Sequence, residues 1–339
     1  MHISRLRGIA ALIAVGLSAP ALADHGIAGG GVSGSGPVVT LEADTLPAGK
    51  LAGGLSLRLT EPDAYTDAEL IALAAQHVHA HTTDYNLGAT ASMAYGLTDH
   101  LMLTANLPYV RRRNLREGEH SHAGGVVSNT IQELGTVSGI GDASLMAQYV
   151  LAHDHERGWA FSLLAGVKLA TGSTHKLDPS GERLETEHQP GTGSWDPLFG
   201  VAAAKRGGAW SVHGSAQYQL STTGAQDTRL GDRMNVSVAV VYNLTGEHQH
   251  HDKAEPHVDP ASWAVMLEPS YEWEGRQRIA GSVEADSGAK VLWLSPGLRF
   301  ASPRGWSAAV SAGLPLWQEV GRSHPDNSFR VIGQLGTAF

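Results

Sequence analysis

Apolar residues recur at every second position along most of this chain. In the last eleven residues Phe329, Val331, Gly333, Leu335, Thr337 and Phe339 fall on one side, and Arg330, Ile332, Gln334, Gly336 and Ala338 on the other. Successive side chains of a β-strand point to opposite faces, so such a segment is greasy on one face and mostly polar or small on the other. Lys50–Thr60 repeats the pattern, as do Asp84–Leu97, Leu101–Val110, Gly141–His153, Gly158–Ala170, Ser194–Lys205 and Ala209–Ser221. Arg233–Leu244, Ser262–Glu274, Lys290–Ser302, Gly305–Val320 and Ser328–Phe339 complete twelve predicted strands. Each is close to the roughly 9–11 residues with which a tilted strand crosses a bilayer. The expectation is an all-β, transmembrane antiparallel β-barrel spanning 50–339. A hairpin hidden around Arg278–Val283 would raise the count to fourteen.

Connection lengths support this reading. With both chain ends in the periplasm, the turns at Thr98, Asp154, Gly207 and Pro303 are short and periplasmic. The long segments Glu61–Thr83, Arg111–Ile140, Thr171–Gly193, Thr222–Asp232, Gly275–Ala289 and Gly321–Asn327 alternate with them and face outward. Thr245–Ala261 breaks the rule by being long on the periplasmic side. Tyr95, Tyr109, Tyr149, Trp159, Trp210, Tyr218, Tyr242, Trp263, Tyr271, Trp273 and Trp306 lie near strand ends on the outward face, where interfacial aromatic girdles sit.

Met1–Ala23 reads as a signal peptide, with Arg5 and Arg7, an apolar stretch from Gly8 to Leu17, and Ala21-Leu22-Ala23 as its cleavage site. Residues 24–49 read as a Gly-rich, flexible amino-terminal segment, of which Asp24–Pro37 can enter the lumen as a plug. Export and barrel together place the protein in the outer membrane of a Gram-negative bacterium. Its expected partners are outer-membrane lipids, the barrel-assembly machinery, which reads the terminal Phe339, and a small-molecule solute. Thr337 replaces a bulky apolar residue in that terminal signal.

Composition narrows the functions. There is no cysteine, so neither disulfides nor thiolate chemistry is available. The formal charge is −9, and loss of Arg5 and Arg7 with the signal leaves −11. The longest basic run is Arg111-Arg112-Arg113, read as an anchor to anionic headgroups, so nucleic acid is not an expected partner. No G-x-S-x-G motif is present. Ser211, His213 and Ser215 on one strand face do not make a nucleophile constellation, so no enzyme and no catalytic residue is expected.

Two sets of residues could carry function. Alternation sends Arg58, Lys168, His213, Glu268, Glu272, Arg299 and Arg330 into the lumen, because an Arg or Lys facing lipid at mid-depth costs roughly 2–4 kcal/mol. Both signs are present, which argues against strong selection for one ionic charge. The second set is histidine: His77, His79 and His81 in the first outward loop, His120 and His122 in the second, and His248, His250, His251 and His257 in the long periplasmic connection. Imidazole ligates Zn or Cu, and alternating histidines on an extended segment would face one ion together. A solvated polar loop has the same composition.

Several segments resemble the outer-membrane transporter family named after the MetA pathway of phenol degradation. They are Thr45-Leu46-Pro47-Ala48-Gly49-Lys50, Tyr95-Gly96-Leu97-Thr98-Asp99, Leu107-Pro108-Tyr109-Val110, Gly139-Ile140-Gly141-Asp142-Ala143 and Leu169-Ala170-Thr171-Gly172. The resemblance implies a barrel that passes or handles small, often hydrophobic compounds. The leading expectation is therefore a channel or transporter for small molecules. The alternatives are a His-rich metal-binding barrel linked to divalent metal uptake or efflux, and a structural barrel with a closed lumen.

Overall fold

A computed structural model describes residues 36–123, 126–245 and 261–339. The signal-peptide reading of 1–23, residues 24–35, and the histidines at 248, 250, 251 and 257 lie outside the described residues.

In chain order the strands are β1 Leu51–Pro62, β2 His81–Thr82, β3 Tyr85–Thr98, β4 Leu101–Ala123, β5 Val126–Ile140, β6 Ser144–Asp154, β7 Trp159–Lys168, β8 Asp196–Gly207 and β9 Trp210–Gln219. They continue with β10 Thr228–Arg229, β11 Arg233–Asn243, β12 Ser262–Glu274, β13 Arg278–Ile279, β14 Ser282–Val283, β15 Ala289–Ala301, β16 Trp306–Val320 and β17 Asn327–Ala338. One helix, α1 Asp67–Ala74, occupies the first long connection and starts with a capping box between Thr66 and Glu69.

Twelve of these strands form a closed antiparallel barrel. Neighbours run β4, β3, β1, β17, β16, β15, β12, β11, β9, β8, β7 and β6, and pairing of β6 with β4 closes the ring. The first and last barrel strands pair where Ala52 faces Ala338, and the Phe339 amide donates to the Leu51 carbonyl at 2.8 Å. Closure leaves no edge strand, as a bilayer requires.

The predicted faces are as expected. In β9 Trp210 and Val212 point outward, and Ser211, His213, Ser215, Gln217 and Gln219 are buried inside. Leu55, Leu57, Met93, Leu103, Leu107, Val236, Val238 and Val240 form part of the apolar outer surface. Rings gather at the short-turn end, with Trp210 against Tyr242 and Phe300 between Trp263 and Trp306, at centroid distances of 4.6, 4.9 and 5.2 Å.

Three expectations need correction. Arg111–Ile140 is not an open connection: β4 continues through it to Ala123 and returns as β5, a hairpin extending past the barrel wall. Alternation persists through the basic run, so Arg111 and Arg113 point outward around Tyr85 while Arg112 turns inward and is buried. The three arginines therefore do not act as one anchor. The hairpin within Gly275–Ala289 exists as β13–β14, but it pairs with β10 in a separate small sheet and does not join the barrel. The barrel count stays at twelve.

Candidate functional site

The inner wall is rich in alanine, with Ala52, Ala94, Ala160, Ala202, Ala204, Ala239 and Ala309 all buried. Small side chains leave room for a further chain, and residues 36–48 fill it. Val38 and Val39 pack with Ala239, Val241, Met266, Ala309 and Ile332. Ala43 packs with Ala160, Leu164, Ala202 and Ala204, and Leu46 with Ala52 and Ala94.

This strap is bent and irregular and has no sheet partner, so its backbone groups need other partners. Lumenal side chains supply them. Glu268 accepts from the amides of Val38, Val39 and Thr40 at 2.9, 3.0 and 2.9 Å. Arg299 donates to the Pro37 carbonyl and Gln334 to that of Val38. Ser215 accepts from the Leu41 amide, Gln148 donates to the Glu42 and Asp44 carbonyls, and Ser162 donates to that of Ala43. At the short-turn end the Gly49 amide donates to the Gly96 carbonyl, and the Ala48 amide donates to the Asp99 carboxylate. A β-carbon at Gly96 would overlap the carbonyl oxygens of Leu46 and Pro47.

The other end of the lumen is covered by the segment between β7 and β8. Its anchor is Lys168, which meets Asp142 at 2.8 Å and Asp196 at 3.1 Å, all three nearly inaccessible to solvent. Asp142 also accepts from the Gly172 amide and from the Thr192 amide and hydroxyl, each within 2.8 Å. Gly172 and Gly191 touch backbone to backbone. Arg112 donates to the carbonyls of His188 and Gln189, holding this segment to β4.

Between strap and cover lies a cavity of about 90 Å3. Val38 is at its base. Arg58, Asn106, Lys168, Asp142 and Gln219 supply polar atoms, and Val110, Met146, Pro190, Leu198 and Ile332 supply apolar surface.

The seven lumenal candidates therefore do different things. Arg58 and Lys168 line the cavity. Glu268 and Arg299 hold the strap. Arg330 pairs with Glu272 at 2.5 Å, lies 4.5 Å from the Trp293 ring centroid, and donates to Ser270 and Ser295. His213 contacts Ser211 at 3.0 Å, and neither residue lines the cavity.

The loop histidines do not converge as an alternating segment would. His77 takes φ 59° after α1, which breaks the alternation, and its ring lies 4.3 Å from that of His120. His120 and His122 bring their Nε2 atoms to 3.0 Å. His79 sits 3.7 Å from Glu117, whose carboxylate raises its pKa. His81 is buried and meets Glu187 at 3.6 Å, with His188 3.8 Å from the same carboxylate oxygen. The rings of His188 and His324 stand edge-on to His81 at 4.4 and 4.5 Å. Burial lowers the pKa of His81, holds that of His188 down near 4, and pushes Glu187 up to about 8. Sequence reading passed over Glu187, His188 and His324, which lie in two connections remote from His81 in the chain.

A closed antiparallel barrel with an apolar belt is the architecture of outer-membrane β-barrel proteins. The crystal structure of the COG4313 outer membrane channel from Pseudomonas putida F1 is similar over 88% of this chain and 98% of that one, with a TM-score of 0.56 and 18% identity. The toluene transporter TbuX from Ralstonia pickettii overlaps less well, at a TM-score of 0.41 and 10% identity over 86% and 90% of the two chains. No curated protein matches the sequence. The chain belongs to the family described as "Putative MetA-pathway of phenol degradation", whose model matches residues 60–322. That span contains four of the five motifs; the strap motif Thr45–Lys50 precedes it.

Proposed function

We propose that this barrel is an outer-membrane channel for small molecules of mixed polarity, including hydrophobic ones, held closed by its own amino-terminal strap. The observation that carries the reading is the cavity lined by both apolar and polar side chains, bordered by a cover fixed by Lys168 and a strap fixed by Glu268. Both signs of charge on its wall favour uncharged solutes. The long connections face the cell exterior, and the strap enters from the periplasm after signal cleavage. Movement of the strap along the alanine-lined wall opens the path, because its bonds run to side chains and not to a β-ladder.

Liposome swelling with the refolded chain tests this. Small uncharged solutes should enter faster through a Glu268→Ala variant than through the parent, while a sugar acid of similar size should gain less. Equal rates for parent, variant and protein-free liposomes would overturn the reading.

A second reading, a metal-binding barrel taking Zn or Cu, has one specific observation in its favour: the meeting of His77, His120 and His122 from two connections. Calorimetry with Zn on the parent and on a variant with these three changed to Asn distinguishes it. Unchanged binding would remove this group from consideration.

A further inference from the structure

Among the described residues, His81, Glu187 and His188 are grouped so that one ligand atom of each lies within 4.8 Å of the others. Three features make this more than a chance cluster. The separations of 3.6 Å and 3.8 Å to the shared Glu187 oxygen are too long for hydrogen bonds but near those of ligands around one ion. A tetrahedral centre with bonds of about 2.0–2.1 Å sets its ligand atoms about 3.4 Å apart. His188 is 2% exposed, and its Nε2 has no hydrogen-bond partner among the described residues. A buried polar atom left unpaired is costly, so it calls for a partner. His324 edges against His81, and its Nδ1 is likewise buried and without a hydrogen-bond partner.

The surroundings suit a cation held by imidazole and carboxylate. Arg112 spends hydrogen bonds on the carbonyls of His188 and Gln189, which fixes the turn carrying both ligands. The ligands come from separate parts of the chain, β2 and the 3-10 turn Thr186–His188.

We propose that His81, Glu187 and His188 form a divalent transition-metal site that staples two long connections together over the lumen, with the His324 ring packed beside it. The donor set of two imidazoles and one carboxylate, with a fourth position left for water, fits Zn, Cu or Ni better than Mg or Ca. Pro190, two residues beyond His188, lines the cavity, so an ion here fixes the cover. The site is separate from the exposed group of His77, His120 and His122 and does not depend on the channel reading.

The test uses the full chain, refolded in detergent, with His77, His120, His122, His248, His250, His251 and His257 changed to Asn. After loading with Zn and exhaustive dialysis, this protein should keep one metal equivalent per chain by elemental analysis. His188→Asn and Glu187→Gln should each lose that equivalent while keeping the heat-modifiable band of a folded barrel. Cobalt loading of the parent background gives a readout that needs no variant at the site: an intense visible band of four-coordinate cobalt is expected. No retained equivalent, retention unchanged by both substitutions, or only the weak spectrum of six-coordinate cobalt would each overturn the proposal.

Discussion

The two ends of the lumen are built by different physics. At the short-turn end the strap is an apolar chain lying on alanines, with its backbone bonded to wall side chains whose positions the sheet dictates. At the opposite end the cover is made of connections tied to one another through buried charge and imidazole, with Lys168 between two carboxylates and His81 against Glu187, His188 and His324. A strap held to a rigid wall can be released as a unit by losing a few side-chain partners. A cover held by mutual contacts between loops falls apart locally when one member is lost. The family motifs follow the same division. Thr45–Lys50 and Tyr95–Asp99 meet at the strap's exit, while Leu107–Val110, Gly139–Ala143 and Leu169–Gly172 meet around Asp142.

The largest effect is expected at Lys168. Lys168→Met leaves Asp142 and Asp196 buried without their cation, and breaking such a pair costs about 3–5 kcal/mol. The temperature at which the folded band converts on gels should fall well below that of the parent, and proteolysis should begin between residues 171 and 195. An unaltered transition with no new cleavage would mean that the cover does not depend on this triad.

Glu268→Ala comes next. It strips three strap amides of a charged acceptor, and each lost charge-assisted bond is worth about 1.5–3 kcal/mol before relaxation and water entry reduce the total. The strap should leave while the barrel stays folded, so a cysteine introduced at Val39 should become reactive to a water-soluble thiol reagent. Continued protection of that position would show that alanine packing alone retains the strap.

Gly96→Val sharpens the comparison at smaller cost. The new side chain meets the Leu46 and Pro47 carbonyls, a misfit of about 1–3 kcal/mol that displaces the strap's exit without touching the cover. Thiol labelling of a cysteine introduced at Leu46, buried in the parent, should rise while proteolysis of 171–195 stays at the parent level. A change at both ends would show that strap and cover are coupled.

Deleting Phe339 should change stability least. Phe339 is 72% exposed, and the deletion removes one backbone hydrogen bond, from its N–H to the Leu51 carbonyl. Its expected consequence is on assembly: less folded barrel in outer-membrane fractions, with refolding in detergent nearly unaffected. Normal amounts in the membrane would remove Phe339 from the assembly signal.

Much of this molecule is legible in its sequence because a strand's period of two acts locally. Whether Trp210 or His213 faces inward depends on counting along β9, and a one-residue slip would reverse both. The lumenal fate of Glu268, Arg299 and Arg330 followed from the same count and from the cost of charge in lipid. The reach of β4 beyond the membrane was not legible, because Arg111–Ala123 alternates polar residues on both faces and carries no apolar stripe to mark a strand. The roles of the inward charges were not legible either. Glu268 holds Val38, Val39 and Thr40 across about 230 positions, and His81 meets His188 and His324 from three connections. Alternation fixes a direction for each side chain and nothing about what stands opposite. Ring closure through β4 and β6 sets the opposite wall, and with it decides which residues share the lumen with the strap and which loops meet over it.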